Sequence, residues 1–140
     1  MAPTAKSKNT KPELLVRKKL HSLGFRFRLH QKIGKLKPDI VLKKWNTCIF
    51  IHGCFWHHHD SCKFAYIPKS NTEFWTKKFQ VNRERDLRNV DELKALNWKI
   101  VIIWECAIKQ GLIDNINREN IINGRNYWEL EGQKKKLVLK

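Results

Sequence analysis

The chain has 140 residues, which suits one domain with one sizeable core. Hydrophobic residues make up 41% and charged residues 30%, which excludes a disordered polar chain, and no apolar run reaches bilayer length. There are 29 Lys and Arg against 13 Asp and Glu, and the formal net charge of +16 points to a polyanionic partner, because each neutralised phosphate releases counterions.

Residues 1–9 read as a basic leader without the apolar stretch of a signal peptide, so a soluble cytoplasmic protein is expected. Thr10-Lys11-Pro12-Glu13 is a capping-box pattern, with Thr as N-cap, an early Pro and Glu at N3. It predicts a helix whose apolar stripe runs through Leu14, Leu15, Leu20 and Leu23 and which Gly24 ends. Residues 25–29 alternate aromatic and basic side chains, as a half-buried strand does. After a basic turn, Pro38-Asp39 opens a strand over 40–42, residues 43–46 turn, and the apolar run 47–51 completes a hairpin.

Residues 53–69 form a long loop crowded with Cys, His, Trp and Phe, a length that in a small domain signals function or metal bracing. Ser70-Asn71-Thr72-Glu73 repeats the capping-box pattern and predicts a helix to about Leu96, with Phe79, Leu87, Val90, Leu93 and Leu96 as its apolar contacts. A third strand covers 98–104, with Trp98 and Trp104 as core candidates, and Glu105-Cys106-Ala107 starts another helix. Beyond Gly111 the pattern weakens. Residues 10–125 are taken as the domain and 126–140 as a basic tail. The element order implies one α/β domain, a mixed sheet flanked by helices.

Without a secretion signal, the four cysteines point to metal binding or burial and away from disulfides. Cys48 sits mid-strand as plain core. Cys54, His59, Cys62 and Cys106 offer three thiolates and an imidazole, the donor set of a closed tetrahedral Zn²⁺ site with a structural role. His57, His58 and His59 are adjacent, so spacing leaves open which one joins the thiols. Asp39, at a strand start beside a basic turn, can hold Mg²⁺ against a phosphate, with the main-chain carbonyl of Ile51 as a second oxygen ligand. A turn residue is the competing reading of Asp39. His52 and His57 are the acid–base candidates. Glu13 fits its capping box and can also reach a metal-bound water. Phe55, Trp56 and Trp75 can stack on bases or wedge between them, or can plug the core beneath the loop.

Three segments carry a family resemblance: Ser7-Lys8-Asn9-Thr10-Lys11-Pro12-Glu13-Leu14-Leu15, Pro38-Asp39-Ile40-Val41-Leu42, and Phe50-Ile51-His52-Gly53-Cys54-Phe55-Trp56-His57-His58-His59. With Glu73-Phe74-Trp75 and Ile103-Trp104-Glu105-Cys106-Ala107 following in order, the chain resembles the very short patch repair (Vsr) DNA mismatch endonucleases over about residues 6–109. The resemblance implies a restriction-endonuclease-like fold. It also implies Mg²⁺-dependent nicking 5′ to the thymine of a T:G mismatch left by 5-methylcytosine deamination. On it, Asp39 and the Ile51 carbonyl hold Mg²⁺, His57 is the general base, and His52 and Glu13 support the bound waters and phosphate. Cys54, His59, Cys62 and Cys106 match the zinc ligands, and Phe55, Trp56 and Trp75 the aromatic wedge. The segment from His59 to Cys62 is one residue longer than the family pattern, and Ile51 stands where that pattern has Thr. The expected partner is mismatched double-stranded DNA, met by a monomer and with no membrane, alongside a companion cytosine-5 methyltransferase. The alternatives are a restriction-like nuclease without mismatch requirement and a non-catalytic zinc-stabilised DNA-binding module.

Overall fold

The computed structural model describes residues 10–133; the basic leader and the Lys134-Lys135-Lys136 run lie outside them. Helix α1 (Lys11–Ser22) starts where the capping pattern puts it, with Thr10 extended and its Oγ1 accepting the Glu13 N–H at 3.5 Å. Gly24, at φ +82°, takes the left-handed conformation that lets the chain leave the helix. The buried side chains of α1 are Glu13, Val16 and Leu20, three and four residues apart and therefore on one stripe. Leu14 and Leu15, expected on that stripe, are 50% and 38% exposed.

Five strands form one sheet in chain order: β1 (Arg28–Leu29), β2 (Ile40–Leu42), β3 (Thr47–His52), β4 (Lys99–Trp104) and β5 (Tyr127–Leu130). The first three are antiparallel; β3–β4 and β4–β5 are parallel. The predicted hairpin is present, turned by a short 3₁₀ segment (Lys43–Trp45) and by Asn46 in the left-handed region. The strand expected over 25–29 shrinks to two residues. The sheet also continues past residue 125, where the sequence reading ends the domain. Tyr127–Leu130 pairs with β4 as an edge strand, so these residues belong to the fold and not to a tail. Tyr127-Trp128-Glu129-Leu130 does not alternate apolar with polar side chains, so it gives no period-of-two signal.

Helix α2 (Thr72–Ala95) makes the crossover from β3 to β4, as parallel pairing requires. Its start differs from expectation. Asn71 is the N-cap, in the left-handed region and without a capping bond, while the Thr72 hydroxyl lies 3.2 Å from both the Pro68 and the Lys69 carbonyl oxygens. Phe79 and Leu93 are buried, whereas Leu87 and Leu96 are 67% and 52% exposed. Helices α3 (Glu105–Lys109) and α4 (Arg118–Ile122) lie between β4 and β5.

Strand alternation splits the interior into two clusters. Ile49, Ile51, Val101 and Ile103 pack with Val16 and Leu20 of α1 and with Ile108, Ile113 and Ile121 from the α3–α4 region. Cys48, Ile100, Ile102 and Trp104 point the other way, packing with Leu93 of α2, Cys54 and Cys106, with Trp98 half-buried against them. The result is a mixed sheet with helices on both faces, and the cysteines and histidines collect on the second.

Candidate active site

In parallel sheets, ligands gather at the carboxyl ends of the strands. Here those ends bring together His52 of β3 and Trp104 of β4, partners in register. The His52 ring meets Trp104 edge-on at 5.1 Å and stacks on His57 with 3.7 Å between ring centroids. His57 returns to β3 because the loop folds sharply: the N–H groups of His57, His58 and His59 donate to the carbonyls of Gly53, Phe55 and Cys54 at 3.1, 3.1 and 2.9 Å.

That turn sends three consecutive imidazoles to three places. His57 Nδ1 lies 2.7 Å from Asp86 Oδ2 on α2. His58 stacks on Phe79 at 4.2 Å, where burial, and then the Arg83 charge, lower its pKa. His59 goes to the cysteines. Spacing left the three interchangeable; the fold does not.

Asp86 is a site residue that the sequence reading missed. It follows Phe79 and Asn82 on the inward face of α2, and Asn82 Nδ2–H donates to the Trp56 carbonyl at 2.9 Å. Polar side chains on the inward face of a strongly charged helix were the available signal. A carboxylate at Nδ1 fixes the imidazole tautomer, leaving the Nε2 lone pair to accept a proton.

Asp39 is 8% exposed. Main-chain pairing of β2 with β3 begins at Ile40↔Ile49, and beyond it the Asp39 Oδ2 accepts the Ile51 N–H at 2.7 Å. The carboxylate thus replaces a main-chain acceptor and is locked beside Ile51. Asp39, His52, His57 and Asp86 line one cavity of about 160 Å³, with Lys37 and Arg85 also on its wall. Two cations beside two carboxylates suit a site that takes up a phosphate together with a divalent cation. Glu13 is off this wall: it is buried in α1, with Oε2 3.0 Å from Arg17 Nη2 and 3.7 Å from His30 Nε2.

Cys54, His59, Cys62 and Cys106 place their donor atoms within 4.8 Å of one another. His59 Nδ1 is 3.5 Å from Cys106 Sγ, and the Cys106 N–H donates to Cys54 Sγ at 3.3 Å. Burial pushes the Cys54 thiol up, and the charges of Cys106 and Cys62 raise it further. Burial likewise raises Cys106. Such thiols ionise together only against a cation, so the soft S₃N donor set fits Zn²⁺. Cys48, pushed up to about 12 by burial, stands apart as core. His52, His57 and Asp86 are a second set whose donor atoms lie within 4.8 Å of each other.

Phe55 is buried at the centre of an aromatic cluster, in ring contact with Trp56, Tyr66, Trp75 and Phe79 at 5.1–5.3 Å. Trp56 and Trp75 are half-buried around it, and Phe74, which the sequence reading did not single out, is 60% exposed.

A mixed sheet flanked by helices, whose strand ends gather a carboxylate, a histidine–carboxylate pair and cations, is the arrangement of a restriction-endonuclease-like fold, and the relatives that follow make the protein a DNA endonuclease. Among solved structures, the catalytic domain of the homing endonuclease I-Bth0305I has this fold, with a TM-score of 0.50 at 16% identity over 76% of this chain and 90% of that one. The family described as DNA mismatch endonuclease Vsr matches residues 1–63. The Type II nicking enzyme V.NmeAIP of Neisseria meningitidis is 51% identical over 80% of this chain and 81% of its own length. The Type II nicking enzyme V.XorIIP of Xanthomonas oryzae is 45% identical, covering 74% and 75%. The DNA mismatch endonuclease Vsr of Escherichia coli is 41% identical, covering 67% and 62%. This chain belongs to the Vsr DNA mismatch endonuclease family.

Proposed function

We propose that the protein nicks one DNA strand 5′ to the thymine of a T:G mismatch left by 5-methylcytosine deamination, using Mg²⁺, and so starts very short patch repair. The observation that carries the reading is the sharing of one cavity by Asp39 and the His57–Asp86 pair. Asp39 and the Ile51 carbonyl would hold Mg²⁺, which when bound polarises the scissile phosphate. Lys37 and Arg85 attract that phosphate. His57, held by Asp86, takes the proton of the attacking water at Nε2, and the stacked His52 keeps the ring in place. Glu13 supports the site from behind through Arg17 and His30. The Cys54–His59–Cys62–Cys106 cluster, loaded with Zn²⁺, ties the His57 loop to the end of β4.

Phe55 anchors the aromatic cluster while Trp56 and Trp75 meet the unstacked mismatch. The words "nicking" and "mismatch" in the relatives' names support a single-strand cut at a mispair. One nick needs one active site, so a monomer suffices. The protein would act in the cytoplasm on chromosomal DNA, alongside a cytosine-5 methyltransferase. No helix among the described residues is long and apolar enough to cross a membrane. On domain limits, residues 1–9 act as a basic leader, and any tail begins after β5.

The test is nicking of end-labelled duplexes that differ only in a T:G, U:G or C:G pair, with and without Mg²⁺. One Mg²⁺-dependent cut beside the mispaired thymine, absent from C:G, is expected. Equal cutting of all three would establish a restriction-like nuclease, and binding without cutting a DNA-binding module.

A further inference from the structure

The segment that closes the described fold runs along the Cys/His cluster and contacts it repeatedly. Glu129 of β5 and Glu131, just past its end, reach the neighbouring Trp104 and His59. Glu129 Oε1 accepts the Trp104 indole N–H at 2.6 Å. Glu131 Oε2 lies 2.9 Å from His59 Nε2, and the His59 ring stacks on Trp104 at 3.9 Å and 8°. One residue further, the Gly132 N–H donates to Cys106 Sγ at 3.2 Å. The Gln133 N–H then donates to Gln110 Oε1 at 2.8 Å, tying the strand exit to the end of α3.

Gly132 has a steric reason to be glycine. A Cβ there would sit 3.1 Å from both the carbonyl carbon and oxygen of Cys106 and 2.8 Å from Gln110 Nε2. The side-chain amide can swing away; the main chain of Cys106 cannot. A methyl group would therefore lift the Gly132 amide off the sulfur.

We propose that β5 and the two residues after it form the outer shell of the metal cluster, with Glu131 positioning His59 and Gly132 donating to the Cys106 sulfur. The inference rests on the zinc reading of the cluster. A ligating imidazole must present one nitrogen lone pair to the metal, and a carboxylate on the other N–H fixes which nitrogen that is. Here Glu131 accepts from Nε2–H, which leaves Nδ1, the nitrogen that faces Cys106 Sγ. The amides of Cys106 and Gly132 supply N–H donors to two sulfurs, favouring their ionised, metal-binding form. The cluster's geometry is thus set by a strand far from the cysteine-rich loop in sequence.

The experiment is competition for Zn²⁺ between a chromophoric chelator and the purified full chain. Glu131→Ala is expected to weaken zinc binding about 10–100-fold, the usual effect of losing a carboxylate behind a metal-bound histidine. Glu131→Gln should lose less, since its amide oxygen still accepts from Nε2–H. The Glu131 side chain is 43% exposed, so neither change leaves a buried void. Cobalt-loaded Glu131→Ala should keep its thiolate charge-transfer band, because the cysteines are untouched. Glu119→Gln removes an exposed acid elsewhere and should bind zinc like the wild type. Wild-type affinity in Glu131→Ala overturns the proposal, as does an equal loss in Glu119→Gln, which would make net charge the cause. A folded Gly132→Ala chain with unchanged affinity removes Gly132 from the shell. A wild-type chain that takes up no zinc overturns the metal reading, and this inference with it.

Discussion

The two faces of the sheet are built from the same strands, one residue out of step. On the α1 face, β3 and β4 present Ile49, Ile51, Val101 and Ile103, all buried among aliphatic side chains. On the α2 face, the alternating positions are Cys48, Phe50 and His52 on β3 and Ile100, Ile102 and Trp104 on β4, and polar groups collect at the strand ends. The first face supplies the aliphatic core. The second holds side chains that burial alone would disfavour, and three of them are compensated by partners: His57 has Asp86, Asp39 has the Ile51 amide, His59 has Glu131. A slip of one residue in register would exchange the two sets, so the aliphatic pattern that fixes register also aims the polar groups of the candidate site.

The sharpest way to break this comparison is to change chemistry on one face without touching the fold. Asp39→Asn keeps an oxygen to accept the Ile51 N–H but removes the charge that would hold a divalent cation. Electrostatic help of that kind is worth several kcal/mol, so nicking should fall by about 10³-fold or more. Duplex binding without Mg²⁺ should be equal or tighter, since a negative charge beside the phosphate is gone. Gel-shift and nicking assays on one preparation read both quantities. Parallel loss of binding and nicking would count against a cation-holding role. The converse change falls on the other face. Ile103→Ala removes buried methyl groups from the aliphatic cluster and should lower unfolding free energy by about 2–5 kcal/mol in urea titrations. Nicking per folded molecule should hardly change at temperatures where the variant is folded.

The same contrast explains what the amino-acid sequence disclosed. Periodicity and capping chemistry are local, so the helix at Thr10, the hairpin around Asn46 and the strand ending at Trp104 were readable directly. The HGCFWHHH run, with Cys62 and Cys106, flagged the chemical face because such donors are rare together. What stayed hidden depends on contacts distant in sequence. Asp86 becomes a site residue only once α2 packs over the loop, 29 positions from His57. Strand β5 has four residues and is recognisable only beside β4, with Glu131 just after it reaching His59. Within α1, hydrophobicity pointed to Leu14 and Leu15, yet the buried stripe runs through Glu13 and Val16. Geometry overrode residue type there, because Glu13 is compensated by Arg17 one turn along.

That buried Glu13 is where the comparison is least symmetric: an acid in the helix that packs on the aliphatic face. Thr10→Ala tests it with the smallest effect of the set. The Thr10 hydroxyl caps the amide of Glu13 itself, at 3.5 Å. A bond this long places the loss towards the lower end of the N-cap range of about 0.5–2 kcal/mol. Thermal melts should show that modest destabilisation. If Glu13 serves only the fold, nicking measured well below the melting transition will match the wild type. If Glu13 supports the site through Arg17 and His30, loosening the first turn of α1 will slow nicking even where the chain is fully folded. Arg17→Ala will then slow it further, because the charge that holds Glu13 in place is removed.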